Sequence, residues 1–275
     1  MLDFLESLRF NAPELAEGLL VTVQLTLVGA AGALLLSFIF GLMSLSGNIV
    51  LRGISRVIVE FFRGTSLYVQ MFWLAFALPI LGYKLDVFFC AVVALALNYG
   101  AYGSEVVRGA ITAVPKAQWE ATVALNMSPL HRMRRVIMPQ AWVGMIPPFN
   151  NLLIQLIKST PLAALILVFE LFYRANQLRS STGNTVATYL MVLIVYFLLA
   201  YVFTLAMNAL EAAASARLGR AGKPSLRQLF RTHSSDEAAA DEVAAATTAP
   251  KPAAESEKVP ADAGPGSRPN GGDLR

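Results

Sequence analysis

Two long stretches of this chain, residues 19–45 and 180–210, contain no Asp, Glu, Lys or Arg. A helix needs about 20 apolar residues to cross the hydrocarbon core of a bilayer, and each stretch is longer than that. In lipid no water is at hand for unpaired backbone groups, so such segments close their own hydrogen bonds as helices. Composition agrees: 56% of the 275 residues are hydrophobic, 15% are charged and the mean hydropathy is +0.56, where a soluble domain carries roughly a quarter of charged residues. The chain reads as an all-α integral membrane protein.

The same counts exclude several kinds of chemistry. Cys90 is the only cysteine, so no intrachain disulfide forms, and with His131 and His233 the only histidines there is no Cys/His zinc site. The net charge of +4 comes mainly from arginines beside apolar segments; they read as interface anchors, and no aromatic-interleaved basic patch points to nucleic acid. Residues 1–18 set Asp3, Glu6, Glu14 and Glu17 against Arg9 alone, unlike a signal peptide, and read as a short extracytoplasmic tail. Gly222-Lys223-Pro224-Ser225 is no phosphate loop, because Arg217 stands where the first glycine is required and Pro224 separates Lys from Ser. From His233 the chain is rich in Ala, Pro, Ser and Glu without periodicity, and disorder is expected.

Five spans are expected, at about 19–45, 57–81, 87–107, 142–172 and 185–210, followed by a basic and then disordered tail at 213–275. The second opens with Glu60 and Arg63, spaced to pair on one helix face. In the third, Asn98, Tyr102 and Glu105 recur at i, i+4 and i+7 and so share a face, with Glu105 placed to pair with Arg108. The fourth is interrupted by Pro147-Pro148 and Pro161, which fits a broken helix lining a cavity, and Asn151, Gln155 and Lys158 share a face. Polar stripes are costly against lipid, so both look into the bundle or a water-filled route, and Lys158 is a candidate for that route or for an internal ion pair. Residues 173–184 read as a polar loop.

Between the third and fourth spans lies a charged, helix-punctuated unit over 115–139. Pro115 suits a first helical turn, and good helix formers run from Lys116 to Leu125. Asn126 stands where a helix end wants a left-handed residue, and Ser128-Pro129 restarts a second helix expected to end before Pro139. Around a five-span chain the arginines near 52–56, 108–135 and 217–231 fall on one side, against Arg9, Lys84, Arg174 and Arg179. The excess of positive charge puts this hairpin and the C-terminus in the cytoplasm and the N-terminus outside.

Glu120-Ala121-Thr122, the turn at Asn126 and Val136-Ile137-Met138-Pro139 resemble the EAA signature of ABC-importer permeases, in which Glu-Ala-Ala is followed by Gly and then by Ile-x-Leu-Pro. Thr122, Asn126 and Met138 are departures from it. Phe61-Phe62-Arg63-Gly64-Thr65-Ser66-Leu67-Tyr68-Val69-Gln70 is similar to the F-R-G-T-P-L-x-x-Q stretch of polar amino-acid permeases, with Ser66 in place of Pro. The sequence from Asn150 to Leu162 resembles their N-x-x-I-x-x-x-K-x-T-S-L stretch, with Pro161 where Ser is usual. The resemblance implies a five-span type I ABC-importer transmembrane domain over 19–212 with a cytoplasmic coupling helix. Pro115, Gln118, Glu120, Ala121, Asn126 and Pro139 would then form the surface that docks an ATPase subunit.

It further implies a multi-pass protein of the bacterial cytoplasmic membrane working by alternating access. Its partners would be the ABC ATPase, a second identical or homologous permease subunit and an extracytoplasmic solute-binding protein. This chain would bind no cofactor and catalyse nothing itself, ATP being hydrolysed by the partner. Arg63, Thr65, Asn98, Tyr102, Asn151, Gln155 and Lys158 are the candidates for the translocation path. Arg63-Gly64-Thr65-Ser66, Gln70-Met71-Phe72-Trp73, Phe76-Ala77-Leu78-Pro79 and Ala124-Leu125-Asn126-Met127 look like the ectoine/hydroxyectoine branch, with polar amino acids the other substrate class. The rival is a secondary transporter or channel, which has no need of an ATPase or of the hairpin.

Overall fold

The computed structural model describes residues 2–217, with side chains described over 6–210, and every regular element among them is a helix. The tail expected to be disordered from His233 lies outside the described residues. Where a short N-terminal tail was expected, α1 (Leu2–Phe10) is followed by α2 (Ala12–Ser44). Proline in the first turn and Glu14 beside the positive end of the helix dipole let α2 start ahead of the charge-free stretch. At a rise of 1.5 Å per residue α2 is about 50 Å long, more than a bilayer core.

The single span expected at 57–81 is instead a set of shorter helices. α3 (Ile49–Gly64) starts at Asn48, whose Oδ1 accepts from the Val50 N–H at 2.9 Å. It stops at two extended residues, Thr65 and Ser66, after which α4 (Leu67–Phe72), a π turn over Trp73–Ala77 and α5 (Leu78–Ile80) continue the chain. α6 (Val87–Thr112) is capped by Asp86, whose carboxylate accepts from Phe88 N–H at 2.9 Å and Phe89 N–H at 3.2 Å.

The hairpin consists of α7 (Lys116–Ala124) and α8 (Pro129–Arg132) and leads through a second π turn, Met133–Ile137, into α9 (Met138–Ser159). Its second helix therefore runs through Pro139, where it was expected to stop. The two π turns share a context: each ends just before a residue that precedes a proline, Pro79 or Pro139. In each the closing N–H reaches back five residues, from Leu78 to Trp73 and from Met138 to Met133. A proline ring collides with the carbonyl four residues earlier and offers no donor to it; widening the preceding turn shifts the carbonyls off the ring.

α9 continues past Pro147 and Pro148, tightens into a 3-10 turn over Thr160–Ile166, and stops at Leu167 with φ +67°. Much of the expected polar loop at 173–184 is α10 (Leu171–Thr182), bent by 57° from the helix before it. Glu170 starts it, its carboxylate accepting from Phe172 N–H and Tyr173 N–H at 2.9 Å each, and Gly183, at φ +68°, ends it. α11 (Thr185–Arg217) closes the described chain. Among the described residues α2, α6 and α11 are the helices long and apolar enough to cross a membrane, and the bent assembly from Pro129 to Thr182 counts as a fourth if taken as one span.

α2 and α6 form the most extensive helix pair. Leu25, Ala33, Leu95 and Tyr99 from the pair join Met71, Leu156 and Ile166 in the main core. Small residues set the separation: a Cβ on Gly100 would stand 2.7 Å from Leu36 Cβ, and one on Gly103 would collide with Ser37 Oγ. The hydroxyls buried on α2 do not disturb the apolar contact, because Thr22, Thr26 and Ser37 each donate to the carbonyl four residues earlier in their own helix. Gly109, by contrast, has open space where a Cβ would lie. Gly103→Val will lower stability by about 1–3 kcal/mol through overpacking, while Gly109→Ala will raise it by roughly 0.5–1 kcal/mol through helix propensity. Melting temperatures of the two purified variants check this, and equal melting would remove the assigned α2–α6 contact.

Candidate functional site

The hairpin owes its shape to one residue. Asn126 has φ +54°, the left-handed conformation, and it reverses the chain through a paired closure: Asn126 N–H donates to Val123 O at 2.9 Å and Met127 N–H to Thr122 O at 3.1 Å. That is the Schellman arrangement, with Asn in the place glycine usually takes. Ser128 Oγ accepts from His131 N–H at 3.4 Å to start α8. Pro115 sits just ahead of α7 as its N-cap. Trp119 packs on the cluster of Val107, Ile111, Ile137 and Met145, and Thr122 is buried, with its hydroxyl donating to Trp119 O at 2.7 Å.

One side of α7 is therefore anchored on α6 and α9, and the other is free. Gln118, Glu120, Ala121 and Asn126 are exposed, as are the apolar Val123, Leu125 and Leu130. Gln118 Oε1 accepts from Gln140 Nε2 at 3.4 Å, whereas Glu120 has no side-chain partner among the described residues. Pro139 lies half-buried in the helix that returns from the hairpin.

The structure gathers four of the seven candidate path residues around the break between α3 and α4. A helix end leaves its last carbonyls without partners, and here side chains serve them in sequence. Thr65 Oγ1 donates to Phe61 O at 2.8 Å; Gln70 Nε2 and Asn98 Nδ2 each donate to Phe62 O at 3.0 Å; Tyr102 Oη donates to Arg63 O at 3.3 Å. Gln70 Nε2 also reaches Thr65 Oγ1 at 2.7 Å. Arg63 lies over the Tyr102 ring at 5.5 Å and pairs with Glu60 at 3.5 Å. Thr65 and Asn98 are thus engaged with backbone and with Gln70. A cavity of about 290 Å³ beside them is walled almost entirely by apolar groups, including Phe61, Val69, Trp73 and Leu97.

Asn151, Gln155 and Lys158 lie apart from that group and behave differently. All three are exposed, they share one face of α9 with Gly144 and Pro147, and none has a side-chain hydrogen bond or ion pair among the described residues. The internal ion-pair alternative for Lys158 therefore has no acid to rest on within the described protomer.

Sequence reasoning missed Glu170, the only acidic residue between Glu120 and Glu211. Besides starting α10, this fully buried carboxylate accepts from Tyr196 Oη on α11 at 2.6 Å and from Thr22 Oγ1 on α2 at 3.3 Å, while Leu171 N–H donates to Thr22 Oγ1 at 3.1 Å. Its signal was a lone acid at the end of an apolar run, the place of an N-cap.

A family model described as binding-protein-dependent transport system inner membrane component matches residues 33–215. A probable amino-acid ABC transporter permease of Sinorhizobium fredii is 44% identical over 205 residues, covering 72% of this chain and 86% of that protein. The L-cystine transport system permease of Bacillus subtilis is 36% identical over 200 residues, with 72% and 86% covered. Among solved structures, the crystal structure of an amino acid ABC transporter with histidines aligns with a TM-score of 0.72 and 29% identity, covering 78% of this chain and 99% of that one. An inward facing MetNI methionine ABC transporter aligns at a TM-score of 0.64 and 21% identity over 74% and 97%, which shows the shared fold.

The turn at Asn126 yields a direct check. Asn126→Gly will leave the hairpin intact, whereas Asn126→Val places a β-branched residue at positive φ and will destabilise it by about 1–2 kcal/mol. Limited proteolysis reads the local loss as faster cleavage in the exposed hairpin, and identical cleavage of the two variants would refute the role of the left-handed residue.

Proposed function

The chain belongs to the family of binding-protein-dependent transport system inner membrane components, and from that premise we propose that it is the permease subunit of an ATP-driven importer for a small polar, amino-acid-like solute. The observation that supports this best is the hairpin: a helix anchored by Trp119 and Thr122 on one side, with Glu120 unpartnered and Val123 and Leu125 bare on the other. An apolar surface ringed by polar groups marks an interaction site. Its occupant is an ABC ATPase subunit, a partner that a secondary transporter or channel does not need. In this reading the hairpin and the C-terminus face the cytoplasm and the N-terminus the outside.

The α9 face supplies the second element. An ammonium and a carboxamide pair on an exposed helix face do not suit lipid, so the face looks onto a route shared with a second permease subunit, identical or homologous. Lys158 suits the carboxylate of a zwitterion delivered by an extracytoplasmic binding protein. The substrate class is a polar amino acid, as the relatives' names support; ectoine and hydroxyectoine, zwitterions of similar size, form the narrower alternative. The test is uptake of labelled amino acids and of ectoine into vesicles holding the permease, its ATPase and the binding protein, with and without ATP. Uptake that persists without ATP would overturn the proposal.

Two substitutions separate path from docking surface. Lys158→Met will keep the melting temperature and lower uptake by about tenfold, roughly the worth of one hydrogen bond to a charged group; unchanged uptake would move the route away from α9. Glu120→Arg will leave the permease inserted and folded but reduce co-purification of the ATPase, and full retention would make Glu120 a solvated helix residue.

A further inference from the structure

Between the polar face of α9 and the hairpin, α6 and α9 form the walls of a groove of about 410 Å³ that reaches Pro115 at the start of the hairpin. Its volume falls in the range of small-molecule sites. Small residues open it: Gly109 on α6 and Gly144 on α9 line it, and both have open space where a Cβ would lie. At about 100° per residue, Gln140, Gly144 and Pro148 of the groove wall fall with Asn151, Gln155 and Lys158 in one arc of about 80° around α9. The groove therefore continues the face assigned to the route, from Lys158 down to the hairpin.

Among the described residues Glu105 is the one ionisable side chain that lines this groove. It is half-buried, and its two oxygens are unequally used. Arg108 donates to Oε2 from Nη2 at 2.6 Å and from Nε at 2.9 Å, while Oε1 has no hydrogen bond among the described residues. Arg108 itself lines a separate cavity between α2, α3 and α6 and is not part of the groove wall. Gln140, the other polar side chain of the wall, is engaged through Nε2 with Gln118. An ionised carboxylate accepts on both oxygens, so Oε1 is free to take a donor that enters the groove.

A zwitterion has two poles, and the α9 face serves one of them. Lys158 with two carboxamides and no carboxylate would favour an anion over a zwitterion; Glu105 supplies the missing sign further along the same face. We propose that Glu105 receives the cationic end of the solute in the half of the route nearer the hairpin. This rests on the transport reading and on the route along α9, and adds the second charged contact to it. Pro148, which shares the groove wall with Glu105, and Lys158 are about 15 Å apart along the helix. That is longer than the separation of charges in an amino acid, so the solute meets Lys158 and Glu105 in turn. Either substrate class carries the group required, an ammonium in an amino acid or an amidinium in ectoine.

Vesicles holding the permease, its ATPase and the binding protein, supplied with labelled glutamine, arginine, cystine or ectoine, test the assignment. Glu105→Gln keeps an acceptor for Arg108 and removes the charge. Its maximal uptake rate will fall about tenfold, roughly the effect of losing one hydrogen bond to a charged group. The half-saturating concentration, which the binding protein sets, will not change, and ATP hydrolysis will continue. Arg108→Gln breaks the same half-exposed ion pair but leaves the carboxylate, and will keep uptake within about twofold of the parent. Parent-like uptake by Glu105→Gln overturns the proposal, and so does an equal fall in both variants, which would make Glu105 a structural partner of Arg108. Gly144→Phe fills the groove from a position with open space and will lower uptake at an unchanged melting temperature; parent-like uptake with the groove filled overturns the proposal even where Glu105→Gln folds poorly. A parent without ATP-dependent uptake removes the importer reading and the assignment together, whereas a transporting parent with indifferent variants removes the assignment alone.

Discussion

A helix that stops within an apolar environment strands carbonyls or amides that lipid does not solvate, and each stranded group costs free energy comparable to a lost hydrogen bond. This chain breaks its helices repeatedly, and the fold is arranged so that other elements bring polar side chains to the breaks. The end of α3 is served by Thr65, by Gln70 from α4 and by Asn98 and Tyr102 from α6. The start of α10 is served by Glu170, which α2 and α11 in turn satisfy through Thr22 and Tyr196. These contacts tie together helices far apart in sequence: Asn98 from α6 and Gln70 from α4 converge on Phe62 O at the end of α3, and Asn98 Nδ2 also reaches Gln70 Oε1 at 3.4 Å.

This constraint separates residues that look alike in sequence. Asn98 and Asn151 are both carboxamides inside apolar runs, yet Asn98 is buried and committed to a backbone carbonyl while Asn151 is exposed and uncommitted. Polarity within a span marks the need for a partner, and only the fold says whether that partner is a helix end or something beyond the protomer. Thr65 and Asn98 draw their value from the α3–α4 break. Asn151, Gln155 and Lys158 have no such debt to the backbone and remain available to a solute or a second subunit.

The hairpin was legible in the sequence almost to the residue, because its determinants are local: a left-handed residue at Asn126, a cap at Ser128 and helix formers between. What was not legible depended on compensation. Pro139 was expected to end a helix, and by itself a proline does; the π turn over Met133–Ile137 lets the helix pass, as the one over Trp73–Ala77 does before Pro79. Residues 171–182 carry Arg174, Arg179 and several short polar residues and so resembled a loop. They are helical because Glu170 caps them and because Leu171, Ala175 and Leu178 bury one side against Leu15 and Val192. The break at Thr65-Ser66 was hidden by the apolar composition around it, since hydropathy reports burial and is blind to the backbone.

The π turn at Met133–Ile137 also has a bearing on how the hairpin and the α9 face communicate. Had Pro139 ended the helix, a loop would separate the two, and a displacement of α7 would be absorbed there. Instead α8, the π turn and α9 form one continuous helical path from Pro129 to Ser159, and Ile137 within the π turn belongs to the same cluster as Trp119, which anchors α7. A displacement of the hairpin that preserves this packing must carry the base of α9 with it. Since Asn151, Gln155 and Lys158 are rigidly placed on that helix, the movement re-aims all three side chains together. The wide turn and the missing N–H groups of Pro147 and Pro148 are the places where this path departs from regular α-helical hydrogen bonding, and bending there changes the direction of α9 without unfolding either the hairpin or the polar face.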